Sequence, residues 1–178
     1  RLLGLPGPGS VRPTTGVPRV RVTVLHDAEN CPLPSGPLSG MPHIPSGSFG
    51  GGIVDEVIDR AIRARMGWPP LAKVDYMIRS SAIINWQFIL HPVDMNPFHP
   101  TDRTLNMLRD RGVAVVDPGT KAGAVDTKIH NEVLKIIQDH STGDPRIAET
   151  VIVLLSGDSD FSGDVSALQS HGFAVIII

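Results

Sequence analysis

Aspartates follow two apolar runs of the chain, at the points where each run would end as a strand. Asp27 closes the run "VRVTVLHD", and Asp158, Asp160 and Asp164 follow the run "VIVLL". Ligands of an open parallel sheet bind outside the carboxyl ends of its strands, so neighbouring strands would bring Asp27 and Asp158 together. Convergent carboxylates cannot all stay ionised near neutral pH unless a cation lies between them. Oxygen ligands alone favour a hard ion, Mg²⁺ or Mn²⁺.

A further acid, Asp126, belongs to the segment "VDTKIHNEVLKIIQDH", which has helical periodicity. Asp126 lies three positions before Ile129, so it shares the core-facing side of the predicted helix at its first turn. A carboxylate there loses hydration, which costs free energy unless a positive partner compensates it. The helix dipole is an equally good explanation, because it favours an acid in the first turn by about 0.3–1 kcal/mol.

Each remaining polar residue also has a purely structural explanation. Asp160 would serve as the N-cap of the next helix, and Asp164 would lie in its first turn. Asn30, three residues after Asp27 in "DAEN", would close an Asx turn or orient a carboxylate or phosphate. Taken together, these explanations account less well for acids at two strand ends and one helix start. A metal site open to a phosphate, suited to phosphodiester hydrolysis, accounts for them better.

The elements that would position these acids alternate between strand and helix. Strand patterns cover 20–27, 113–117, 150–156 and 173–178, and helix patterns cover 53–66, 101–112, 125–140 and 161–172. Two more strand candidates, 72–80 and 82–91, would form either a hairpin or one long bent strand. Strands separated by helices pair in parallel, and nearly continuous apolar strands indicate cover on both faces. We therefore predict an α/β fold, a three-layer sandwich with a mainly parallel central sheet.

Composition limits the class of protein. The 178 residues, 41% hydrophobic and 19% charged, are typical of one globular domain. The net charge of −2 gives no global positive field, so nucleic-acid binding would need a local patch. No apolar run approaches the roughly 20 residues of a membrane span, and we expect no membrane partner. A single cysteine, Cys31, excludes an internal disulfide and fits a reducing compartment. We expect an intracellular location, cytoplasmic or nuclear, with an organelle as the alternative.

Three blocks of the sequence occur in a fixed order: "VTVLHDAENCPLPSG", "GTKAGAVDTKI" and "VIVLLSGDSDFSGDVSALQSHGFAVII". Together they resemble the NYN domain, a branch of the PIN-like nuclease superfamily. They are most similar to the limkain-type NYN domains of meiosis-arrest RNA-regulating proteins, where D-x-E-N-C-x-x-P-x-G opens the domain and S-G-D-x-D-F closes the site. The resemblance covers residues 20–35 and 112–178, and it implies a PIN-like sandwich.

The resemblance also implies a function: a metal-dependent endoribonuclease that cleaves single-stranded RNA and uses Mg²⁺ or Mn²⁺. Catalytic and metal-binding roles are implied for the acids that match the family's site, which are Asp27, Asp126, Asp158 and Asp160. Asn30 matches the family's asparagine, and Ser156 matches the small residue before the acidic turn, so we expect both to contact substrate. Asp164 matches no site position, and we predict that it is only an acid in the first turn of the following helix.

Basic side chains near these acids are candidates for phosphate contact. Lys121 and Lys128 flank Asp126, and a second basic strip would comprise Arg60, Arg63 and Arg65. Charges of this kind more often form only the solvated face of a helix. Of these basic residues, we predict that Lys121 and Lys128 bind the substrate.

The organisation of the chain departs from the family in three places. Residues 1–19 form a basic leader rich in Pro and Gly, which we expect to be flexible, ahead of the domain at 20–178. Segments near 36–52 and 82–100 look like insertions that would bind protein partners, and the first, which extends the loop after Asn30, would alternatively gate the site. Aromatic residues of the second, Trp86, Phe88 and Phe98, would stack on bases or fill a core. A start at Arg1 rather than Met leads us to expect a fragment or processed product.

Two other functions stay open at this point. The first is a catalytically weak or inactive module that binds RNA or acts as a scaffold in a larger RNA-processing assembly, and a homodimer is compatible with either function. The second is a phosphatase or other metal phosphotransferase. Such an enzyme would place a second acid where Glu29 stands, but "DAEN" lacks the small hydroxyl residue that would follow.

Overall fold

The computed structural model describes residues 17–28, 30–31, 53–70, 72–84, 106, 108–110, 112–141 and 143–178, with side chains of the first helix from position 56 onward. Its strands are β1 (Arg19–Asp27), β2 (Asp75–Ile83), β3 (Ala114–Val116), β4 (Thr150–Leu155) and β5 (Ala174–Ile177). Its α-helices are α1 (Ile53–Met66), α2 (Ala124–Gln138) and α3 (Ser162–Ser170). Single 3₁₀ turns occupy Pro145–Glu149 and Ser159–Phe161.

The sheet has the order β3-β2-β1-β4-β5, and every neighbouring pair is parallel. β1 is therefore the central strand. Its last residues are paired on both sides, with Asp27 opposite Ile83 of β2 and His26 opposite Leu155 of β4. The strands that precede Asp27 and Asp158 are therefore neighbours, a condition that the sequence alone left open.

Helices cover both faces of this sheet because alternate strand residues point to opposite sides. On one face, Val22 and Val24 of β1 pack with Ile58 and Ile62 of α1. On the other face, Leu25, Ile83 and Ile152 pack against α2 and α3 through Val125, Ile129, Val133 and Leu168. All six residues of β4 are buried, as a strand covered on both faces requires. The predicted α/β three-layer sandwich is confirmed.

The segment around position 80 forms one strand rather than a hairpin. β2 runs from the first strand candidate into the start of the second, and it is parallel to β1 throughout. A hairpin would need a turn near Ser81, but Ser81 is paired with Leu25 on one side and with Ala114 on the other. The remainder of the second candidate, 85–91, lies outside the described residues.

Other predicted segments are described only in part. Asn106 and residues 108–110 are helical, Leu108 is fully buried, and Gly112 follows at a φ of 76°. This positive φ suits a glycine at the end of a helix, as the sequence predicted. The leader up to position 16, the loop at 36–52 and the aromatic residues of 85–100 lie outside the described residues. In the described part of the chain, no helix has the length and apolar character that crossing a membrane requires.

Candidate active site

Asp27, the last residue of β1, is fully buried and is held by hydrogen bonds from two directions. Its Oδ1 accepts a bond from the backbone N–H of Asn30 at 3.1 Å, and its Oδ2 accepts one from Nδ2 of Asn30 at 2.9 Å. The Oγ of Ser156, just beyond β4, donates to the same Oδ2 at 2.7 Å. A buried carboxylate is tolerated when such donors replace its lost hydration.

Ser156 also links Asp27 to the next acid in the chain. Its Oγ accepts a hydrogen bond from the backbone N–H of Asp158 at 3.1 Å, and the residue is buried. One hydroxyl therefore bridges the end of β1 and the turn after β4. The same turn passes close to Asn30, because a Cβ added to Gly157 would lie 3.8 Å from the carbonyl oxygen of Asn30.

His26, one residue before Asp27, fixes the loop that follows β1. Its Nε2 lies 2.6 Å from the carbonyl oxygen of Cys31. A carbonyl only accepts, so Nε2 carries the proton and donates. Burial lowers the pKa of His26, while the bond to Cys31 and the charge of Asp27 oppose that effect. No pattern in the sequence indicates this contact, because it depends on the path of the loop.

Asp158 caps the turn that follows it. Its Oδ1 accepts a hydrogen bond from the backbone N–H of Asp160 at 2.9 Å, and it is the N-cap residue of Ser159–Phe161. The suggestion that Asp160 is the cap is therefore wrong, since Asp160 lies exposed inside the turn. The Oδ2 of Asp158 has no hydrogen-bond partner among the residues that the structure describes, and it is available to a ligand.

Asp126 lies in the first turn of α2 and is partly buried. Burial raises its pKa, and the negative charges of Asp27, Asp158 and Asp160 raise it further. A helix dipole acting alone would lower the pKa of an acid in the first turn. The four acids thus form one electrostatic group, and the dipole does not account for Asp126.

A divalent cation suits the chemistry of this donor set. Asp126 is a partly buried carboxylate that makes no hydrogen bond or ion pair with any described residue, so its charge lacks compensation. Hard ions prefer carboxylate oxygens. Within the described ranges, no group of three or more His, Cys, Asp or Glu side chains has an arrangement that could hold an ion. The fit therefore rests on donor type and on charge.

Asp164 has a partner that the sequence did not reveal. It lies in the first turn of α3, as predicted, and its Oδ1 is 2.7 Å from Nδ1 of His130 on α2. The side chain of Asp164 is 11% exposed, against 54% for His130, so the acid is the buried member. Asp126 precedes His130 by one helical turn, and Asp160 precedes Asp164 by the same spacing.

The basic residues near the acids differ in their pairing. Nζ of Lys128 lies 3.0 Å from Oε1 of Glu132, while Lys121 is exposed and makes no ion pair within the described ranges. On α1, Arg60 pairs with Glu56 and Arg63 with Asp59, each at 2.7 Å. Most of the predicted strip on α1 is therefore neutralised by its own helix.

A parallel α/β sandwich with aspartates gathered beyond the carboxyl ends of two neighbouring strands is consistent with the fold of the PIN-like nucleases. The chain belongs to the NYN domain family, whose family model matches residues 21–178. NYN domains are PIN-like and are generally ribonucleases, hydrolases that act on nucleic acid. Comparison with curated proteins and with solved structures yields no match.

Proposed function

We propose that this domain is an endoribonuclease that cleaves single-stranded RNA with Mg²⁺ or Mn²⁺ at Asp27, Asp126, Asp158 and Asp160. One observation carries the proposal: the pKa of Asp126 is raised by burial and by the charges of the other three acids. A partly buried carboxylate that is repelled by neighbouring acids costs the fold free energy unless the group serves a cation. The limkain-type motifs favour RNA as the substrate.

The four aspartates are the residues that would hold the ion. When bound, it would supply a Lewis acid at the scissile phosphate and a water of lowered pKa. Hydrogen bonds from Asn30 and Ser156 orient the carboxylate of Asp27. A hydrogen bond from the backbone N–H of Asp160 orients the carboxylate of Asp158. Carboxylates held in this way lose little conformational freedom when they bind a ligand.

Asn30 and Ser156 remain predicted substrate contacts, and their bonds to Asp27 support a second role for both. Nδ2 of Asn30 and Oγ of Ser156 both donate to Oδ2 of Asp27, so they fix the direction of that carboxylate. Lys121 and Lys128 would meet phosphates of the RNA strand. The ammonium groups would offset the repulsion that the acids exert on the polyanion.

Incubation of the purified protein with labelled single-stranded RNA and Mn²⁺ tests the proposal. We expect cleavage by the wild type and loss of at least a hundredfold in rate for Asp158→Asn, since a metal-held phosphate loses several kcal/mol of transition-state stabilisation. Asp139→Asn, at the exposed C-terminal end of α2, is the matched control and keeps wild-type activity. Equal rates for Asp158→Asn and wild type would overturn the proposal.

The second candidate function is an inactive module that binds RNA or acts as a scaffold. It is favoured by the lack, in the described residues, of three side chains already arranged around an ion position. Thermal melting with millimolar Mn²⁺ separates the two functions, because a ligand of the native state raises Tm by mass action. A Tm that does not respond favours the scaffold. Partner binding through the loops at 36–52 and 82–100, a homodimer and the cellular compartment stay predictions.

A further inference from the structure

A pocket of about 420 Å³ lies between the loop at 118–122 and the solvent-facing side of α2. No acidic residue lines it, although an acidic group lies nearby. Its polar lining consists of Thr120, Lys121, Thr127, Lys128 and Asn131. A concave site with a few convergent polar groups is the usual form of a small-ligand or subunit-binding pocket.

The pocket lies next to Asp126 along α2. Thr127 and Lys128, which line it, directly follow Asp126 on α2. Gly123 separates the pocket-lining Ala122 and Ala124, and a Cβ added there would lie 3.8 Å from Oδ2 of Asp126. The first turn of α2 thus carries Asp126 and also contributes to the wall of the pocket.

Charge in the pocket is concentrated on one side chain. Lys128 is largely neutralised by Glu132, at 3.0 Å, and Glu132 also faces Arg79 at 3.8 Å. Lys121 is exposed and forms no ion pair in the described ranges, so its full charge is available to a phosphate. A phosphate of a strand at the acids needs such an anchor, since the aspartates repel it.

Two side chains of the pocket are suited to a nucleobase. Asn131 is exposed, and its amide offers both a donor and an acceptor, as base edges require. Thr120 is also exposed and supplies a hydroxyl. The hydroxyl of Thr127 is already committed to the carbonyl oxygen of Gly123, at 2.9 Å, and it forms only the wall.

We propose that this pocket, the Lys121 pocket, binds one nucleotide of the RNA strand next to the scissile phosphate. Lys121 holds the phosphate of that nucleotide, and Asn131 contacts the edge of its base. The assignment rests on the proposed function, because it takes the strand at the acids to be RNA. Its consequence is that the enzyme has a base preference at a position beside the cut.

Binding without chemistry tests the pocket. The parent is Asp158→Asn in buffer with EDTA, and the probe is a fluorescein-labelled single-stranded RNA of about 10 nucleotides, a length within the usual site sizes. Affinity is measured by anisotropy over a series of salt concentrations. Lys121→Ala is expected to weaken binding and to lower the slope of log K against log salt by about 0.7, the value of one phosphate contact on a single strand.

Two further variants separate charge from base contact. Asn131→Ala is expected to weaken binding about 3- to 10-fold with an unchanged salt slope, since it removes a neutral hydrogen bond. Lys135→Ala is the control, because this exposed lysine lies two turns beyond Lys128 on the same side of α2 and outside the pocket. Lys121→Arg is expected to retain the salt slope of the Asp158→Asn parent.

The proposal is overturned if Lys121→Ala matches Lys135→Ala in both affinity and slope, or if the parent binds no RNA. Cleavage by the wild type in Mn²⁺ is scored separately. A slope change at Lys121 without cleavage supports the pocket and removes the proposed function. Cleavage without a slope change leaves the proposed function standing and removes the pocket.

Discussion

The hydroxyl of Ser156 donates a 2.7 Å hydrogen bond to Oδ2 of Asp27, a residue 129 positions earlier in the chain. Both residues are buried, so the bond joins the ends of two parallel neighbouring strands away from water. Ser156 also accepts the N–H of Asp158. A single side chain therefore connects Asp27 with Asp158, which are two of the four acids of the candidate site, and its removal is informative.

Ser156→Ala is expected to lower the free energy of unfolding by about 1–3 kcal/mol, because it removes one of the hydrogen bonds to the buried carboxylate of Asp27 and the acceptor of the N–H of Asp158. The measurement is urea denaturation, in which the midpoint falls while the m-value is retained. Ser166→Ala is the control, since that exposed hydroxyl bonds only to the carbonyl oxygen of Ser162 on its own helix. Equal stability of the two variants would contradict the role assigned to Ser156.

Asp126→Asn is expected to make the metal-free protein slightly more stable while it removes activity. Burial and three neighbouring acids raise the pKa of Asp126, so the folded state disfavours its charge. A neutral amide of the same shape relieves that repulsion, and we expect a rise in Tm of about 1–3 °C in EDTA. The variant should also lose the increase of Tm that Mn²⁺ gives the wild type. A lower Tm in EDTA would show that the charge of Asp126 stabilises the fold.

The contact between His130 and Asp164 is expected to position the acids, because it ties α2, which carries Asp126, to α3, which follows Asp158. In a double-mutant cycle of His130→Gln and Asp164→Asn, we expect a coupling energy of about 0.5–1 kcal/mol. We also expect each variant to reduce kcat for RNA cleavage. Expressed as a free energy, this loss should exceed the loss in free energy of unfolding. His130→Asn places an amide near the position of Nδ1, so it should recover part of kcat.

Glu56 and Arg60 provide the control cycle for that pair. They form an exposed ion pair within α1, on the opposite face of the sheet from α2. Glu56→Gln and Arg60→Gln are expected to couple by less than about 0.5 kcal/mol and to leave kcat unchanged. If His130→Gln also left kcat and the Mn²⁺ response unchanged, the contact would be structural only.

Stability at low pH is expected to depend on Asp144. Its carboxylate accepts hydrogen bonds from the side chain and backbone N–H of Arg146, and these lower its pKa from 3.8 to about 2. The unfolded chain therefore binds a proton more readily than the folded protein between those two values. The stabilisation is complete above the higher value and is lost as the pH falls towards the lower one.

Denaturation of the wild type and of Asp144→Asn at several pH values across that window provides the measurement. The difference in free energy of unfolding between them should shrink as the pH falls. Arg146→Gln should flatten the same part of the wild-type profile, because the guanidinium is the cause of the lowered pKa. A difference that is constant across the window would contradict the assignment.

The sequence was sufficient for the elements that depend on local pattern. The apolar run of β4 predicted a strand, and the spacing of Ile129 and Val133 predicted the helix α2. Full burial and helical periodicity are both recognisable within a short stretch of sequence. The sequence also placed Asp27 and Asp158 at the ends of apolar runs, but it left open whether those two strands are neighbours, because strand order depends on contacts between distant segments. That the two acids are catalytic stays a prediction.

Contacts between distant parts of the chain could not be predicted from the sequence. The parallel path of β2 through Ser81 is decided by its two neighbouring strands rather than by its own residues. The pairing of His130 with Asp164 spans 34 positions and depends on how α2 and α3 pack. The choice of Asp158 over Asp160 as the cap residue depends on backbone dihedral angles, which two aspartates so close together do not reveal.

The central position of β1 has a consequence for folding. Its partner β4 lies more than a hundred residues further along the chain, so the pairing that brings Asp27 to Ser156 closes a long loop. Contacts of such high sequence separation form slowly. A nascent chain that ends before β4 has no partner for one edge of β1. It also lacks Asp158 and Asp160, so the group of four acids is incomplete. The candidate site is therefore assembled only after synthesis has passed the turn at Ser159–Phe161.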